Sequence, residues 1–248
     1  MLELMTDAGL DLGRSDARHG YGLFETIAVR GGSPRRLRLH LERLAAGAAF
    51  LGLDAPPGLE RLEYFIEARA GIETGVDGVL HLFALDGKLI VSFSQGLPER
   101  PERAESGIAR SATRNSGNPL HRHKTLSYLE NRLIASEARK RGAFDLVAVN
   151  ERGLLCDGGK TNFFAILGDG IVTPPLTDGC LPGIARRLLI ESGLAREESL
   201  SAEGLASVRA AFLANSLRGA IPLCSFEGRI LDPAHALLAR AAELLEKD

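Results

Sequence analysis

The run VLHLFALDGKLIVSFS, residues 79–94, leaves a chain little conformational choice. Two apolar stretches rich in β-formers flank Asp86-Gly87, a pair suited to the positive φ angles of a tight two-residue turn, so a β-hairpin is expected here. Upstream, GLFETIAVRGG (22–32) reads as a strand closed by a glycine turn. RRLRLHLERLAAGAAFLGL (35–53) places leucines at 37, 41, 44 and 51, the spacing of a helix that buries one face. LERLEYFIEARAGI (59–72) predicts a second amphipathic helix.

The pattern breaks from about residue 97. LPERPERAESGIARSATRNSGNPLHRH is rich in Pro, Arg, Ser and Gly, with one short strand expected around GIARSATR. A boundary near residues 112–123 then gives a small N-terminal domain (1–112), an interdomain loop (113–123) and a larger C-terminal domain (124–248). The second half opens on a predicted helix over 125–141. FDLVAVN, GLLCD, NFFAILG and GIVTP follow, four short runs separated by turn residues, as in an antiparallel meander. Helices near 183–193 and 233–246 and a strand at AAFLAN complete an α+β chain. At 248 residues it is long enough to bury a full core.

Bulk properties narrow the function classes. A net charge of −2 argues against a nucleic-acid partner. Cys156, Cys180 and Cys224 lie far apart without metal-ligand spacing, so they read as reduced thiols with no metal centre. No window is apolar enough for a bilayer, and MLELMTDAGLD lacks the basic-then-apolar pattern of a signal peptide; a cytoplasmic setting is expected.

Four segments carry candidate chemistry. Lys124 opens the amphipathic run KTLSYLENRLIASEARKRG and has His121, Arg122 and His123 as sequence neighbours. Burial beside cations lowers a lysine pKa and favours imine formation; otherwise Lys124 is a solvent-facing residue at a helix start. Asp157-Gly158-Gly159-Lys160-Thr161-Asn162 reads as a turn, or as a loop whose carboxylate holds a pyridinium nitrogen while Thr161 and backbone amides cradle a ligand. Lys160 is either a second cation for substrate or merely solvated. Leu181-Pro182-Gly183-Ile184-Ala185-Arg186 starts a helix whose open amides suit a phosphate, and Asn215-Ser216-Leu217-Arg218-Gly219 is a polar loop able to serve the same anion. Arg43, among core leucines, either lays its stem over apolar surface or offers its guanidinium fork to a phosphate.

Taken in order, these segments resemble the fold-type IV pyridoxal-phosphate enzymes, which include branched-chain aminotransferases, D-amino-acid aminotransferases and 4-amino-4-deoxychorismate lyases. GYGLFETIAVRGG with LHLERL is similar to the family's opening strand and phosphate-arginine helix, and KTLSYLENRLIASEARKRG to its lysine segment. DGGKTNFFAI resembles the loop with the ring-nitrogen carboxylate; PPLTDGCLPGIARRLLIE and FLANSLRGAIPL resemble its two phosphate loops. The resemblance implies a two-domain fold-type IV architecture, a Schiff base of pyridoxal 5′-phosphate on Lys124, and Asp157 at the pyridine nitrogen. It implies phosphate contacts from Arg43, Gly183, Ile184, Ala185 and Ser216, and a homodimer acting on a small-molecule amine.

Within that group NPLHRHKTLSYLEN and NSLRGAIPL look most like the lyase branch, which releases pyruvate and forms 4-aminobenzoate for folate synthesis. Lys124, once displaced by the substrate amine, would act as the base that takes the α-proton. A branched-chain or D-amino-acid aminotransferase is the second reading, and a catalytically silent dimer the third. The chain departs from the family where Asp157 replaces a glutamate, Ala185 a threonine, His81 a basic residue and Tyr21-Gly22 a DG pair. A usually longer substrate loop is reduced to Asp86-Gly87-Lys88. His81, Lys88 and Tyr21 are therefore the candidate substrate contacts.

Overall fold

The computed structural model describes residues 1–6 and 16–247. The chain divides into two units, Met1–Pro98 with His123–Tyr128, and Glu99–Arg122 with Leu129–Asp248.

The first unit contains β1 (Glu3–Met5), β2 (Leu23–Arg30), β3 (Ser33–Pro34), α1 (Leu37–Leu51), α2 (Leu59–Arg69), β4 (Gly78–Leu85) and β5 (Lys88–Gln95). Its sheet runs β1-β5-β4-β2-β3, antiparallel except for the parallel β1–β5 edge. The expected hairpin is β4–β5, turning at Asp86 (φ 51°) and Gly87 (φ 72°). Side chains alternate across a strand, so Leu23, Ile27 and Val29 of β2 join Leu80, Leu82, Leu89 and Val91 on one face. Leu37, Leu41, Leu44 and Ala48 of α1 and Leu62 and Ile66 of α2 close this core. Each fully buried leucine contributes about 1.5–3 kcal/mol. Gly47 lets α1 approach β2, because a Cβ there would lie 2.8 Å from Leu23 Cδ2.

The Lys124 segment belongs to this unit, where the sequence reading assigned it to the C-terminal domain. Phe24 N donates to Lys124 O (2.9 Å) and Leu126 N to Gly22 O (2.8 Å), with a bridge between Leu23 and Thr125. Lys124 thus sits on extended backbone beside β2, and the helix predicted from 125 begins only at Leu129. The chain ahead of it spends its hydrogen bonds on a strand instead.

The second unit contains β6 (Ala104–Ser106), α3 (Leu129–Lys140), β7 (Val147–Val149), β8 (Leu155–Gly158), β9 (Asn162–Leu167), β10 (Gly170–Thr173), α4 (Ile184–Glu191), β11 (Ala195–Glu197), β12 (Ala210–Asn215), β13 (Gly219–Phe226), β14 (Arg229–Ile230) and α5 (Ala236–Glu246). The expected meander is present, with β7 to β10 pairing antiparallel in sequence. The sheet continues from β9 through β12 and β13. The strand expected near 107–114 is reduced to bridges at Ile108 and Arg114, and β6 pairs with β13 just before it. Both sheet faces are covered. Phe164 and Phe212 stack at 4.6 Å in the core that receives Ala185 and Leu189 of α4 and Leu238 and Ala241 of α5. Phe163, Leu213, Ile221 and Leu223 pack on the other side with Leu155 and Leu200.

Candidate active site

In the first unit Lys124 is half-buried. Its Nζ lies 4.2 Å from the centroid of Phe24 and 5.0 Å from that of Tyr128, and the two rings meet edge to face at 5.1 Å. Phe24, one residue out of phase with the core-facing Leu23, lies on the sheet face opposite the helices, as does His81, paired in register with Thr26 and Ser92. Burial, and then the charge of Lys124, push the His81 imidazole below its ordinary pKa. Lys88 shares the His81 face, but four strand positions away, about 13 Å along the sheet. The Tyr21 hydroxyl donates to the Leu51 carbonyl, which fixes the ring at the end of α1.

Behind β2 lies an ionic cluster that sequence reasoning missed. Glu25 is buried on the core face, and its carboxylate receives Arg43 Nε on Oε1 (2.8 Å) and Arg43 Nη2 on Oε2 (2.6 Å). His40 Nδ1 lies 2.6 Å from the same Oε2. Burial would raise the Glu25 pKa, but the Arg43 charge and the bonds from Arg43 and His40 overcome it and hold the carboxyl at about 2. Burial lowers the His40 pKa against the pull of Glu25. A neutral His40 beside an ionised carboxylate must carry its proton on Nδ1. His40 and Arg43 are three residues apart on one helix face, and Glu25 is the polar residue at an inward strand position; that spacing was the available signal.

In the second unit three of the predicted segments come together. Asp157, the last but one residue of β8, is a buried carboxylate whose Oδ2 accepts from Leu181 N at 2.9 Å. Asn162 Nδ2 donates to Leu181 O at 3.0 Å, tying the start of β9 to the same loop. Asn215 Nδ2 donates to Lys160 O (3.2 Å), and its Oδ1 accepts from the amides of Leu217 and Arg218, shaping the turn that holds Ser216. Gly183 precedes α4, and a Cβ on it would stand 1.9 Å from Asn162 Oδ1, so glycine is required for this approach. Helix geometry leaves the amides of Ile184 and Ala185 without intrahelical acceptors. Ala185 itself is buried against the sheet core.

Two further residues, unmarked in the sequence, complete this arrangement. Arg114, buried at 4% side-chain exposure, places Nη2 3.2 Å from Asp157 Oδ1 and donates from Nη1 to Glu130 (2.9 Å). Asp157 Oδ1 is buried and, among the described residues, accepts no hydrogen bond. Asp145 accepts from the amides of Leu146 and Gly159 (3.0 Å each), the amide of Lys160 (2.9 Å) and Thr161 Oγ1 (2.7 Å). The Thr161 hydroxyl therefore spends its proton on Asp145, where the sequence reading had it cradle a ligand. Burial raises the Asp145 pKa, and these donors oppose the rise. Lys160 is exposed, yet its Nζ lies 4.1 Å from the centroid of Phe144.

A buried carboxylate oxygen with acceptor capacity left, a lysine in an aromatic notch and a glycine-led helix start match the parts a pyridine-aldehyde phosphate requires. The family profile of the class IV amino-transferases matches residues 22–226. The chain belongs to that family. The family's cofactor, and that of this chain, is pyridoxal 5′-phosphate. Among relatives, the D-alanine aminotransferase of Bacillus licheniformis is 24% identical, over 91% of this chain and 86% of its own. The aminodeoxychorismate lyase of Bacillus subtilis is 28% identical, over 84% and 78%. A Legionella pneumophila structure, provisionally named a 4-amino-4-deoxychorismate lyase, superposes with a TM-score of 0.81 at 25% identity, over 99% of this chain and 98% of that one. The fold is therefore that of the class IV family, as the resemblance implied, and the named reactions among relatives include both lyase and transferase.

Proposed function

We propose that this protein is a 4-amino-4-deoxychorismate lyase, releasing pyruvate and forming 4-aminobenzoate. The observation that carries this reading is the Legionella likeness, which runs almost end to end along both chains. The Bacillus subtilis lyase supports it. When bound, the cofactor supplies an electron sink that stabilises negative charge at the substrate α-carbon. Lys124 would hold the cofactor through its ε-amine and then take the α-proton from the carbon beside it, with Phe24 and Tyr128 limiting water around that nitrogen. Asp157 would accept the ring N–H on Oδ1, and Arg114 and the Leu181 amide hold that carboxylate in place. The shorter reach of aspartate is supported by this double anchoring. Arg43, the amides of Ile184 and Ala185, and Ser216 would bind the phosphate, while the Gly183 amide, expected among these donors, is spent on Leu181 O (2.8 Å) and its lack of a Cβ is what the site uses.

His81 is the substrate contact favoured in this reading, because it stands on the Phe24 face of the sheet and feels the charge of Lys124. The enzyme would act as a cytoplasmic homodimer. Incubating the cofactor-saturated protein with 4-amino-4-deoxychorismate tests the reading: equal amounts of 4-aminobenzoate and pyruvate are expected, and no product with saturated cofactor would overturn it. The likeness to the D-alanine aminotransferase favours a second reading. Conversion of the cofactor to its amine form by a D-amino acid, without 4-aminobenzoate formation, would decide for that transferase.

A further inference from the structure

We propose that His40 is a positioning residue for Arg43, acting through Glu25 to fix the heading of the guanidinium toward a phosphate monoester. The inference rests on the reading of Arg43 as a phosphate ligand and goes beyond it. Both oxygens of Glu25 are engaged, Oε1 by Arg43 Nε and Oε2 jointly by Arg43 Nη2 and His40 Nδ1. The carboxylate cannot turn about its own axis without breaking one of these bonds, so the plane of the guanidinium is fixed from behind. Glu25 alone would be a two-point support on a side chain with three rotatable bonds; the His40 bond is the third point that locks it. Arg43 keeps only a tenth of its side chain exposed, so a small change of heading is a large fraction of what it presents.

The arrangement also predicts which part of the imidazole matters. Nδ1 bonds Glu25, whereas Nε2 is buried and has no hydrogen-bond partner among the described residues. An asparagine places an amide N–H near the position of Nδ1, so His40→Asn should preserve the support. His40→Leu keeps bulk and removes the donor. His40→Gln carries its donor one bond further out, near the position of Nε2, and should fail as leucine does.

The experiment compares binding of pyridoxal 5′-phosphate with that of pyridoxal, which lacks the phosphate, by titrating the imine absorbance of each variant. Wild type should prefer the phosphorylated form. His40→Leu should weaken that form on the order of tenfold or more, the scale of a hydrogen bond to a charged group, and leave pyridoxal unchanged. His40→Asn should restore the preference, and adding His40→Leu to Arg43→Met should lower it no further. Equal weakening of both ligands, or an asparagine variant as poor as leucine, would overturn the proposal. If His40→Leu does not fold, the same comparison between His40→Gln and His40→Asn decides. A wild type with no preference for the phosphorylated form would refute the Arg43 reading itself, whereas a preference that survives in His40→Leu refutes only the role of His40.

Discussion

The amide of Leu181 donates to Oδ2 of Asp157 at 2.9 Å, so the loop that launches α4 is held by a carboxylate of β8. Arg114 approaches the other oxygen at 3.2 Å. Asp157 is thus a structural joint as well as a candidate ligand.

Asp157→Ala should leave the buried Arg114 guanidinium with Glu130 as its carboxylate partner and the Leu181 amide without an acceptor, lowering apo-protein stability by about 1–3 kcal/mol. Arg114→Met should cost a similar amount. Urea denaturation of both single variants and the double variant checks the pair: the double should cost clearly less than the sum of the two. Additive losses would mean that the residues do not support one another.

Lys124→Ala should abolish the imine absorbance with pyridoxal 5′-phosphate and cut turnover by at least 10²–10⁴-fold, the range for a positioned proton-transfer group. Borohydride reduction of wild type followed by peptide mapping should place the label on Lys124. An adduct mapping elsewhere, or a fully active alanine variant, would refute the assignment.

Asp145→Ala should leave the Gly159 and Lys160 amides and the Thr161 hydroxyl unpaired. At about 1–3 kcal/mol for a buried group left unsatisfied, the variant should lose several kcal/mol. Hydrogen exchange at Gly159 and Lys160 should accelerate, and because Asn215 bonds Lys160 O, the turn around Ser216 should loosen with them. Unchanged protection at Gly159 would show that the loop holds its shape without this anchor.

Acid should destabilise the first unit in two steps. His40 titrates below its ordinary 6.5 because it is buried, so under pH 6.5 the unfolded chain binds a proton that the folded one refuses, and stability falls. Glu25, held at about 2 against an ordinary 4.5, contributes fully above pH 4.5, and its contribution is lost from there toward pH 2. Among the described residues, Arg43 and Lys124 also act on His40, and both charges lower its pKa. Asp145, with its raised pKa, acts in the opposite sense in the second unit, favouring low pH. His40→Asn should therefore flatten the stability profile just below pH 6.5 while keeping the steeper fall below 4.5. A profile identical to wild type would remove His40 as the cause.

Local signals foretold much of this architecture. The Asp86-Gly87 turn, the leucine spacing of α1 and the four short runs of the meander each encode their element in nearest-neighbour chemistry. Lys124 did not, because a stretch with helical periodicity from residue 125 was claimed at its start by strand bonds to Gly22 and Phe24, which are about a hundred residues away. Arg114 was equally silent: it lies in a Pro- and Gly-rich stretch that marks a boundary, and only tertiary folding gives it Asp157. The loops at Asp157, Gly183 and Ser216 were marked individually as turns, but their ties through Leu181, Asn162 and Asn215 are side chain–backbone bonds that no periodicity announces.

The chain leaves the first unit at Pro98 and re-enters it for six residues at His123–Tyr128. No single cut in the gene would then yield both units whole. A fragment ending at Pro98 would keep the hairpin and both helices but lose the segment that bonds Gly22 and Phe24, and with it Lys124. A graft that exchanged everything after Pro98 for a relative's sequence would replace Lys124 together with Asp157, yet pair the incoming lysine with the resident Phe24 and His81. In any chimera of this fold the lysine is inherited with one partner's sequence and judged by the other partner's sheet.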